Sequence, residues 1–319
     1  MMRKTKWRLI LAVALLVVGL ILTIGAMKML HWNIAALGLP AYDTATYELT
    51  DPVSSLTIEA GTADVTIAKT NGDHGRVVCY EKEKQHYAVG MRGDELVITL
   101  NDQRKWYERL FSYGHPNITV YLPEGEYTAL GIKNSTGDVN VRKEFRFGSV
   151  DITASTGSVN CEAAVSGEVK IALSTGNISF TGETAGALSL SVSTGHVSVE
   201  NTACAGAVSV GVSTGKATLK NVTCASLTST GDTGDLVLTD VVAAGALTVE
   251  RSTGDVKFEH CDAAELDVTT DTGDVGGSLR SSKVFITHTD TGRISVPESV
   301  TGGKCKVTTD TGDIKLTVG

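Results

Sequence analysis

Ser135-Thr136-Gly137-Asp138-Val139 is the first copy of a short sequence that decides the fold. Its core, a Ser or Asp followed by Thr-Gly, occurs ten times at intervals of 19 or 20 residues. Self-similarity at a fixed period of this size is typical of a solenoid, in which each repeat forms one coil and packs only on its neighbours. The repeat glycines are Gly137, Gly157, Gly176, Gly195, Gly215, Gly234, Gly254, Gly273, Gly292 and Gly312.

The residues around each repeat glycine alternate between apolar and polar positions. The positions seven before and two after the glycine are apolar in all ten copies, as Leu130 and Val139 illustrate, and the position five before is apolar in eight. The positions between them are mostly polar. This is the period-2 alternation of β-strands that bury one face, placed on both sides of a fixed turn.

Coils of nearly constant length stack with equivalent positions in register, so we expect parallel ladders about 4.8 Å apart. The sequence therefore predicts an all-β fold, a parallel β-solenoid of about ten coils over residues 130–319. We expect a right-handed β-helix, although the periodicity by itself does not fix the hand. Each repeat glycine is predicted to adopt a positive φ at a corner, where a Cβ would be penalised. Small residues such as Ala185-Gly186-Ala187 are predicted to pack at a second corner.

The first 41 residues have a different composition. Residues 1–8 contain four basic side chains, and residues 9–27 contain no charged side chain. An apolar helix of that length spans roughly 28 Å, close to the thickness of the bilayer core. We therefore predict a cytoplasmic basic tail (1–8), a single membrane-spanning signal anchor (9–27) and a juxtamembrane linker (28–41), with the bulk of the chain extracytoplasmic. A cleaved signal peptide is the alternative, because its flanking charges are the same.

Residues 42–129 are predicted to form a β-rich cap of antiparallel or irregular strands that covers the first coil. An open solenoid end exposes unpaired backbone and needs such a cap. Within it, Asn101–His115 is rich in basic and aromatic residues whose spacing suits one or two helical turns. This stretch either contacts a membrane or a sugar, or covers the end of the core with its aromatic side chains. We favour the second interpretation.

The charge of the chain excludes some classes of function and disfavours others. The net charge is −8, and outside the first 40 residues no basic cluster offsets the acidic side chains, so a nucleic-acid partner is not expected. A polysaccharide-active enzyme, the rival class among β-helices, needs long loops that build a cleft. Every coil here has 19 or 20 residues, and the seven histidines show no metal spacing. We therefore expect no enzymatic activity and no catalytic residue.

Acidic residues flank many of the repeat glycines and become frequent in the later coils. Stacked carboxylates repel one another unless they are solvated or bridged, and oxygen ligands suit Ca²⁺. This edge is therefore a weak candidate for Ca²⁺ binding, the only cofactor that the sequence suggests. The alternative is that each Asp caps its turn by accepting backbone N–H groups. The candidate residues are Asp232, Asp235, Asp255, Asp271, Asp274, Asp290, Asp310 and Asp313.

Two of the six cysteines are candidates for a disulfide. Cys204 and Cys224 both lie nine residues past a repeat glycine in successive coils, which predicts Cα atoms about 5 Å apart, within disulfide range. The alternative is a ladder of buried thiols. Cys161 and Cys305 fall on inward positions and are predicted to be core residues.

The order of these parts resembles a known family. Ile118–Leu122 followed by Pro123, the strand at Leu130 and Ile132, and the iterated Thr-Gly-Asp-[Val/Ile] coils are similar to the bacterial putative-adhesin domain family of unknown function. The resemblance covers about residues 42–319 and supplies no catalytic residue. It implies a surface-exposed or membrane-tethered β-solenoid of the cell envelope.

Two functions follow as expectations. The first is a non-enzymatic adhesin or scaffold that presents an extended surface to a protein or to a cell-wall glycan. The second, also implied by the resemblance, is an accessory or regulatory partner in cell-envelope stress signalling. Gene neighbourhood and the partners recovered from membranes would distinguish the two.

Overall fold

The computed structural model describes residues 43–81, 84–104 and 116–319, with scattered positions between 12 and 28. The chain divides into two compact units, one formed by Met1–Tyr42 with Arg104–Gly114 and the other by Asp43–Gln103 with His115–Gly319. The described positions between 12 and 28, in the first unit, are helical. The predicted membrane span over 9–27 lies partly outside the described residues. Within the described part, no helix combines the length and the apolar character that crossing a membrane requires.

The second unit consists of β-strands joined by short turns in the part of it that the structure describes. Seven strands precede the first repeat glycine coil: β1 Asp43–Leu49, β2 Ser55–Gly61, β3 Asp64–Lys69, β4 Gly75–Glu81, β5 Gln85–Arg92, β6 Glu95–Asp102 and β7 Asn117–Leu122. The repeat region contains β8 Gly125–Thr136, β9 Val139–Val141, β10 Phe145–Thr156, β11 Val159–Cys161, β12 Ala164–Val165, β13 Glu168–Phe180, β14 Thr184–Ala185, β15 Ala187–Cys204, β16 Ala207–Cys224, β17 Ser226–Thr233, β18 Leu236–Thr253, β19 Val256–Thr272, β20 Val275–Leu279, β21 Lys283–Thr291, β22 Ile294–Ser295, β23 Gly303–Thr311 and β24 Ile314–Val318.

The repeat coils stack in parallel with equivalent positions in register. Val150 pairs with Leu130 of the coil before it and with Val169 of the coil after it. The same relation carries Gly176 onto Gly195 and Gly195 onto Gly215. The predicted all-β parallel solenoid of about ten coils is therefore confirmed. The right-handed sense of the solenoid stays a prediction.

The inward positions of successive coils form one continuous hydrophobic core. Leu130, Ile132 and Val139 are almost fully buried, and the same columns remain buried along most of the rod. Cys161 and Cys305 are fully buried, which confirms their prediction as core residues. Burial of one face of every strand explains why the apolar spacing is so constant, because a shift of one residue would turn that face to solvent.

At the N-terminal end the coils do not stack in the order of the sequence. Strand β2 lies between β6 and β8 and is parallel to both, so that Leu56 pairs with Leu96 and with Leu130. Strand β3 lies in the same way between β7 and β9. The sequence predicted antiparallel or irregular strands throughout 42–129. Instead, β2, β3, β6 and β7 extend the parallel stack, and the antiparallel pairings are those of β4 with β1 and β7 and of β5 with β6.

The C-terminal end shows the same departure from chain order. Strand β23 pairs with β19 on one side and with β21 on the other, placing Cys305 between Leu266 and Phe285. Strand β24 likewise lies between β20 and β22. The last coil of the sequence is thus inserted before the preceding one, and residues 283–295 form the terminal layer. The expectation that every coil stacks on the one before it is wrong here.

Candidate functional site: the ladder corner of the coils

The repeat glycine bends the chain at one corner of every coil. In nine of the ten copies φ lies between 126° and 153°, a region that favours glycine, and Gly292 in the terminal layer is the exception. Space gives a second reason for glycine. A Cβ placed on Gly195 would lie 1.7 Å from the carbonyl oxygen of Gly176. Nine of the ten repeat glycines thus have the positive φ that the sequence predicts.

The residue after the glycine builds a ladder of hydrogen bonds between coils, which we call the turn ladder. Its side chain accepts from the backbone N–H of the equivalent residue in the next coil. Asp64 Oδ1 accepts from Asp138 at 2.8 Å, and Asp235, Asp255 and Asp274 each accept in the same way at distances from 2.7 to 3.1 Å. Each carboxylate thus satisfies a corner donor that the strand ladders leave free.

Asn177 and His196 provide two further steps of the turn ladder in the middle of the rod. Asn177 Oδ1 accepts from the N–H of His196 at 3.1 Å, and His196 Nδ1 accepts from Lys216 at 3.2 Å. At the far end, Arg293 donates its N–H to Asp313 Oδ1 at 2.8 Å. An arginine has no acceptor to offer a further coil, so the ladder stops at this residue.

This arrangement bears directly on the candidate Ca²⁺ residues. Asp235, Asp255, Asp274 and Asp313 each already accept a backbone N–H with one oxygen. No group of three or more His, Cys, Asp or Glu in the described chain is placed to hold a metal ion. The predicted order of the column is also wrong at the end, because the coils of Asp271, Asp310 and Asp290 stack in that order. The candidates two before the glycine, at 232, 271, 290 and 310, are exposed at the corner. Ca²⁺ binding stays a prediction.

A column of ten threonines directly precedes the glycines, and we call it the threonine ladder. All ten side chains are exposed, and each threonine pairs with its equivalent in the adjacent coil. Parallel strands lie about 4.8 Å apart, so the hydroxyl groups recur at that interval along the rod. The members are Thr136, Thr156, Thr175, Thr194, Thr214, Thr233, Thr253, Thr272, Thr311 and Thr291, in stacking order.

Another corner of the coil, six residues past the repeat glycine, depends on residues that the sequence did not reveal. Asn201, Asn221, Asp240 and His260 adopt φ values between 51° and 55°, the left-handed region that Asn and Asp tolerate best. Asn221 Nδ2 donates to Asn201 Oδ1 at 2.9 Å, which links two coils at this corner. All four residues lie six positions past a repeat glycine. That shared register was the signal that could have revealed them.

A groove near the N-terminal end of the coils has an aromatic floor. It has a volume of about 450 Å³ and is lined by Tyr127, Arg146 and Phe147 among others. The Tyr127 hydroxyl donates to the carbonyl of Pro123 at 2.7 Å, and its ring packs against Phe147. Burial raises the pKa of Tyr127 to about 12. The phenol therefore stays protonated and packs the floor of the groove, rather than serving as a proton acceptor.

The cysteines of the predicted disulfide are free thiols in this structure, as are the other four. Cys204 follows directly on the pairing of Ala203 with Thr223, so it stacks beside Cys224 as the shared register predicted. Burial raises the pKa of the Cys224 thiol to about 11, with a smaller effect from Cys204. Thiols are reactive as thiolates, so this pair is held in its inert form, and the disulfide stays a prediction.

One predicted feature lies mostly outside the described residues. Of the basic and aromatic stretch Asn101–His115, positions 105–115 are not described. Neither of its two interpretations is tested.

Comparison with known proteins identifies the family to which these coils belong. The family model described as Toastrack DUF4097 matches residues 53–210 and 184–318. The two matches together span nearly the whole described solenoid and confirm the resemblance stated from the sequence. Among curated proteins no relative matches the chain.

Several solved structures are similar in outline. A putative adhesin from Bacteroides fragilis is 12% identical, with 87% of this chain and 99% of that chain covered and a TM-score of 0.37. A putative adhesin from Parabacteroides distasonis is 9% identical, with coverage of 87% and 98% and a TM-score of 0.46. A putative lipid binding protein from the same species is 12% identical, with coverage of 86% and 97% and a TM-score of 0.43. TM-scores this low assign no function to this chain.

Proposed function

The chain belongs to the Toastrack DUF4097 family, and from that premise we propose a non-enzymatic role at the bacterial cell surface. The solenoid acts as an adhesin or scaffold whose threonine ladder binds a polymer of the cell envelope, with a cell-wall glycan as the first candidate. The proposal extends to the location of the chain: residues 9–27 hold it in the cell membrane, with the coils outside.

The threonine ladder is the observation that carries the proposal. A hydroxyl group both donates and accepts hydrogen bonds, so a row of them complements the hydroxyl and amide groups of a polysaccharide. Ten exposed threonines in register offer a site that repeats along the rod. A polymer with its own repeat can contact many coils at once, and such multivalent contact raises affinity well above that of one unit.

The rigidity of the corner supports the same function. The turn-ladder bonds, present at most coils, and the close glycine contacts restrict the backbone beside the threonine ladder. A surface that is already ordered loses little conformational entropy when it binds. The flanking serines and aspartates add further polar groups along the same edge.

The non-enzymatic part of the proposal is supported by the side chains that could otherwise carry chemistry. The described thiols are buried, and burial raises the pKa of Cys79 and Cys161 to about 12. The Tyr127 phenol donates a hydrogen bond to the carbonyl group of Pro123. These groups pack the fold and are unavailable as nucleophiles or bases near neutral pH.

Sedimentation with insoluble glycans tests the proposal. Full-length protein is mixed with purified peptidoglycan, chitin or cellulose, and the bound fraction is measured. We expect binding to at least one glycan, reduced at least tenfold in a variant with Thr194→Val, Thr214→Val and Thr233→Val. The estimate assumes about 1 kcal/mol for each lost hydrogen bond.

A matched control changes three threonines outside the ladder, Thr184→Val, Thr218→Val and Thr223→Val, and should bind like the wild type. Equal binding by both triple variants would contradict a role for the ladder. If no glycan binds and a membrane regulator or sensor kinase co-purifies from membranes instead, the envelope-stress alternative replaces the adhesin.

A further inference from the structure

Arg251 is a charged side chain buried in the core of the rod. It is 3% exposed and lies on an inward column, three residues before a repeat glycine. The equivalent residues of earlier coils are Leu173, Val192 and Val212, all buried and apolar. An arginine at this position therefore needs both space and partners that its predecessors do not.

Two substitutions in the preceding coil create the space. Gly231 occupies the same column as Arg251 and pairs with it across the sheet. A Cβ on Gly231 would lie 1.8 Å from Nη1 of the arginine, so the guanidinium occupies the place of the missing side chain. Ser229, fully buried where other coils carry Val210 or Val249, accepts a hydrogen bond from Nη2 at 2.7 Å.

The other donors of this arginine have no partner within the described chain. Nε and Nη1 of Arg251 are buried without a hydrogen bond, and so is Oγ1 of Thr270. Thr270 pairs with Arg251 in the next coil and is 1% exposed. Three unmet polar atoms thus lie on adjacent coils of one column. None of the ion pairs among the described residues includes Arg251.

Burial lowers the pKa of Arg251 and outweighs the opposing effect of the Asp235 carboxylate, so the buried charge is only partly compensated. A buried charge without a close partner is strongly destabilising. A water molecule would satisfy hydrogen bonds but would add no negative charge. Because the guanidinium already occupies the place of the missing Gly231 side chain, only a small group can lie beside it. A small monovalent anion would fit the space and would also compensate the charge.

The rod surface brings solvent close to this point. A groove of about 360 Å³ runs over Thr230, Gly231 and Arg251, and a second groove, of about 220 Å³, continues from Gly231 to Gly211. Because Gly231 and Gly211 have no side chains, fewer atoms separate the guanidinium from solvent. The carboxylates of Asp232 and Asp271 line the outer groove, which disfavours large polyanions at its mouth.

We infer that Arg251, Ser229 and Thr270 form an internal site for a small monovalent anion, with chloride as the physiological occupant. The anion accepts hydrogen bonds from Nε and Nη1 of the guanidinium and from the hydroxyl of Thr270. It compensates the buried charge and stabilises the coils around residue 251. This site is independent of the threonine ladder and its polymer.

Thermal unfolding at constant ionic strength tests the site in the full-length protein. Sodium gluconate is replaced stepwise by sodium chloride, so that screening of the acidic surface stays constant. We expect the Tm to rise by roughly 2–4 °C for each tenfold increase of chloride above its dissociation constant. The rise should disappear in Arg251→Met and shrink in Thr270→Val, and it should persist in Arg142→Met, which removes an exposed arginine.

Crystals soaked in sodium bromide give a second readout that needs no variant. An anomalous peak beside the Arg251 guanidinium would support the site, even if Arg251→Met fails to fold. The inference is overturned if chloride and gluconate give the same Tm and no bromide peak occurs there, since water is then the occupant. A chloride effect unchanged in Thr270→Val and in a folded Arg251→Met variant would also overturn it.

Discussion

The two ends of the rod solve the same problem differently. At the N-terminal end the antiparallel strands β4 and β5 pair with the outermost parallel layer, and Ile58, Ile98 and Ile118 are fully buried. At the C-terminal end the layer 283–295 has a neighbour on one side only, and Ile294 is 46% exposed. One end is sealed by additional strands, whereas the other is left open.

The open end is adapted by its residues instead of by a cover. Thr287 stands at an inward position that is apolar in eight of the ten coils, and Thr289 shares its column with Thr270 and Thr309. Arg293 ends the turn ladder, and Pro297 follows the last short strand. Polar inward residues, a charge and a proline are the features that keep an exposed strand edge from pairing with another chain. Termination of a solenoid thus requires either an extra layer or a terminal coil of altered composition.

Lys283 holds the exchanged coils in place at the open end. Its ammonium group donates to the carbonyl of Ala263 at 2.6 Å and forms an ion pair with Asp262 at 2.7 Å. The backbone partner of Lys283 is Gly303 in the inserted coil. The side chain therefore reaches across that coil to the one beyond it. This contact connects the terminal layer to β19 across the inserted coil.

The largest expected effect separates the inserted coil from the terminal one. Gly312→Ala places a Cβ 2.0 Å from the carbonyl oxygen of Gly273 at a φ of 153°, with coils on both sides. We expect a loss of roughly 3–4 kcal/mol in the free energy of unfolding, measured by urea titration. Gly292→Ala should cost about half as much or less, because its coil has one neighbour and can shift. Gly90→Ala, with no atom within 4 Å of the new Cβ, is the control. Equal losses at 312 and 292 would contradict the open end.

A pair of core truncations compares the sealed end with the open one. Ile98 is fully buried, whereas Phe285 packs against the core but is only partly buried. Ile98→Ala should cost about 3 kcal/mol and Phe285→Ala about 1–2 kcal/mol, although phenylalanine is the larger side chain. Urea titration of both variants checks this order. A larger loss at 285 would show that the terminal layer is covered in solution.

Removal of the Lys283 ammonium group tests how strongly its contacts with Ala263 and Asp262 stabilise the protein. Lys283→Met leaves Asp262 without its main partner in a site where the lysine is 3% exposed, and we expect a loss of about 2 kcal/mol. Lys306→Met breaks an exposed pair with Asp267 and should cost less than about 1 kcal/mol. Chemical denaturation of both variants gives the comparison. Similar losses of unfolding free energy in the two variants would mean that the Lys283–Asp262 pair is no stronger than a surface ion pair.

The smallest expected effect is a pH dependence of the stability contributed by the ion pair of Lys283 with Asp262. Burial raises the pKa of Asp262, but hydrogen bonds from Lys283 and Ser281 outweigh it and hold the pKa below the ordinary value of 3.8. A depressed pKa contributes stability above the ordinary value, and that stability is lost as the pH falls through the folded-state pKa. The stability gap between wild type and Lys283→Met should therefore narrow below about pH 4, by about 1 kcal/mol or less. A gap that stays constant from pH 7 to 3 would exclude this linkage.

Much of the fold was predictable because the repeat exposes it. The constant spacing of the glycines required equal coils, and the alternation around them required strands with one buried face. That Asp can accept backbone N–H groups at the turn was also foreseen, but Asp235 accepts from the next coil and not from its own turn. The corner at Asn201 was not predicted, because the left-handed residues there are Asn, Asp and His instead of one invariant glycine.

The sequence by itself determined the coil: its length, its inward columns, its glycine corner and its ladder of threonines. Those features are local, since each depends on residues within one repeat and on identical neighbours above and below. The tertiary structure alone decided the order of the coils at both ends, the contact of Lys283 with Asp262 and the burial of Arg251 over Gly231. Any coil of this period can stack on any other, so the repeat carries no information about order. The order is seen only in the pairing of strands from distant repeats, such as β23 with β19 and with β21.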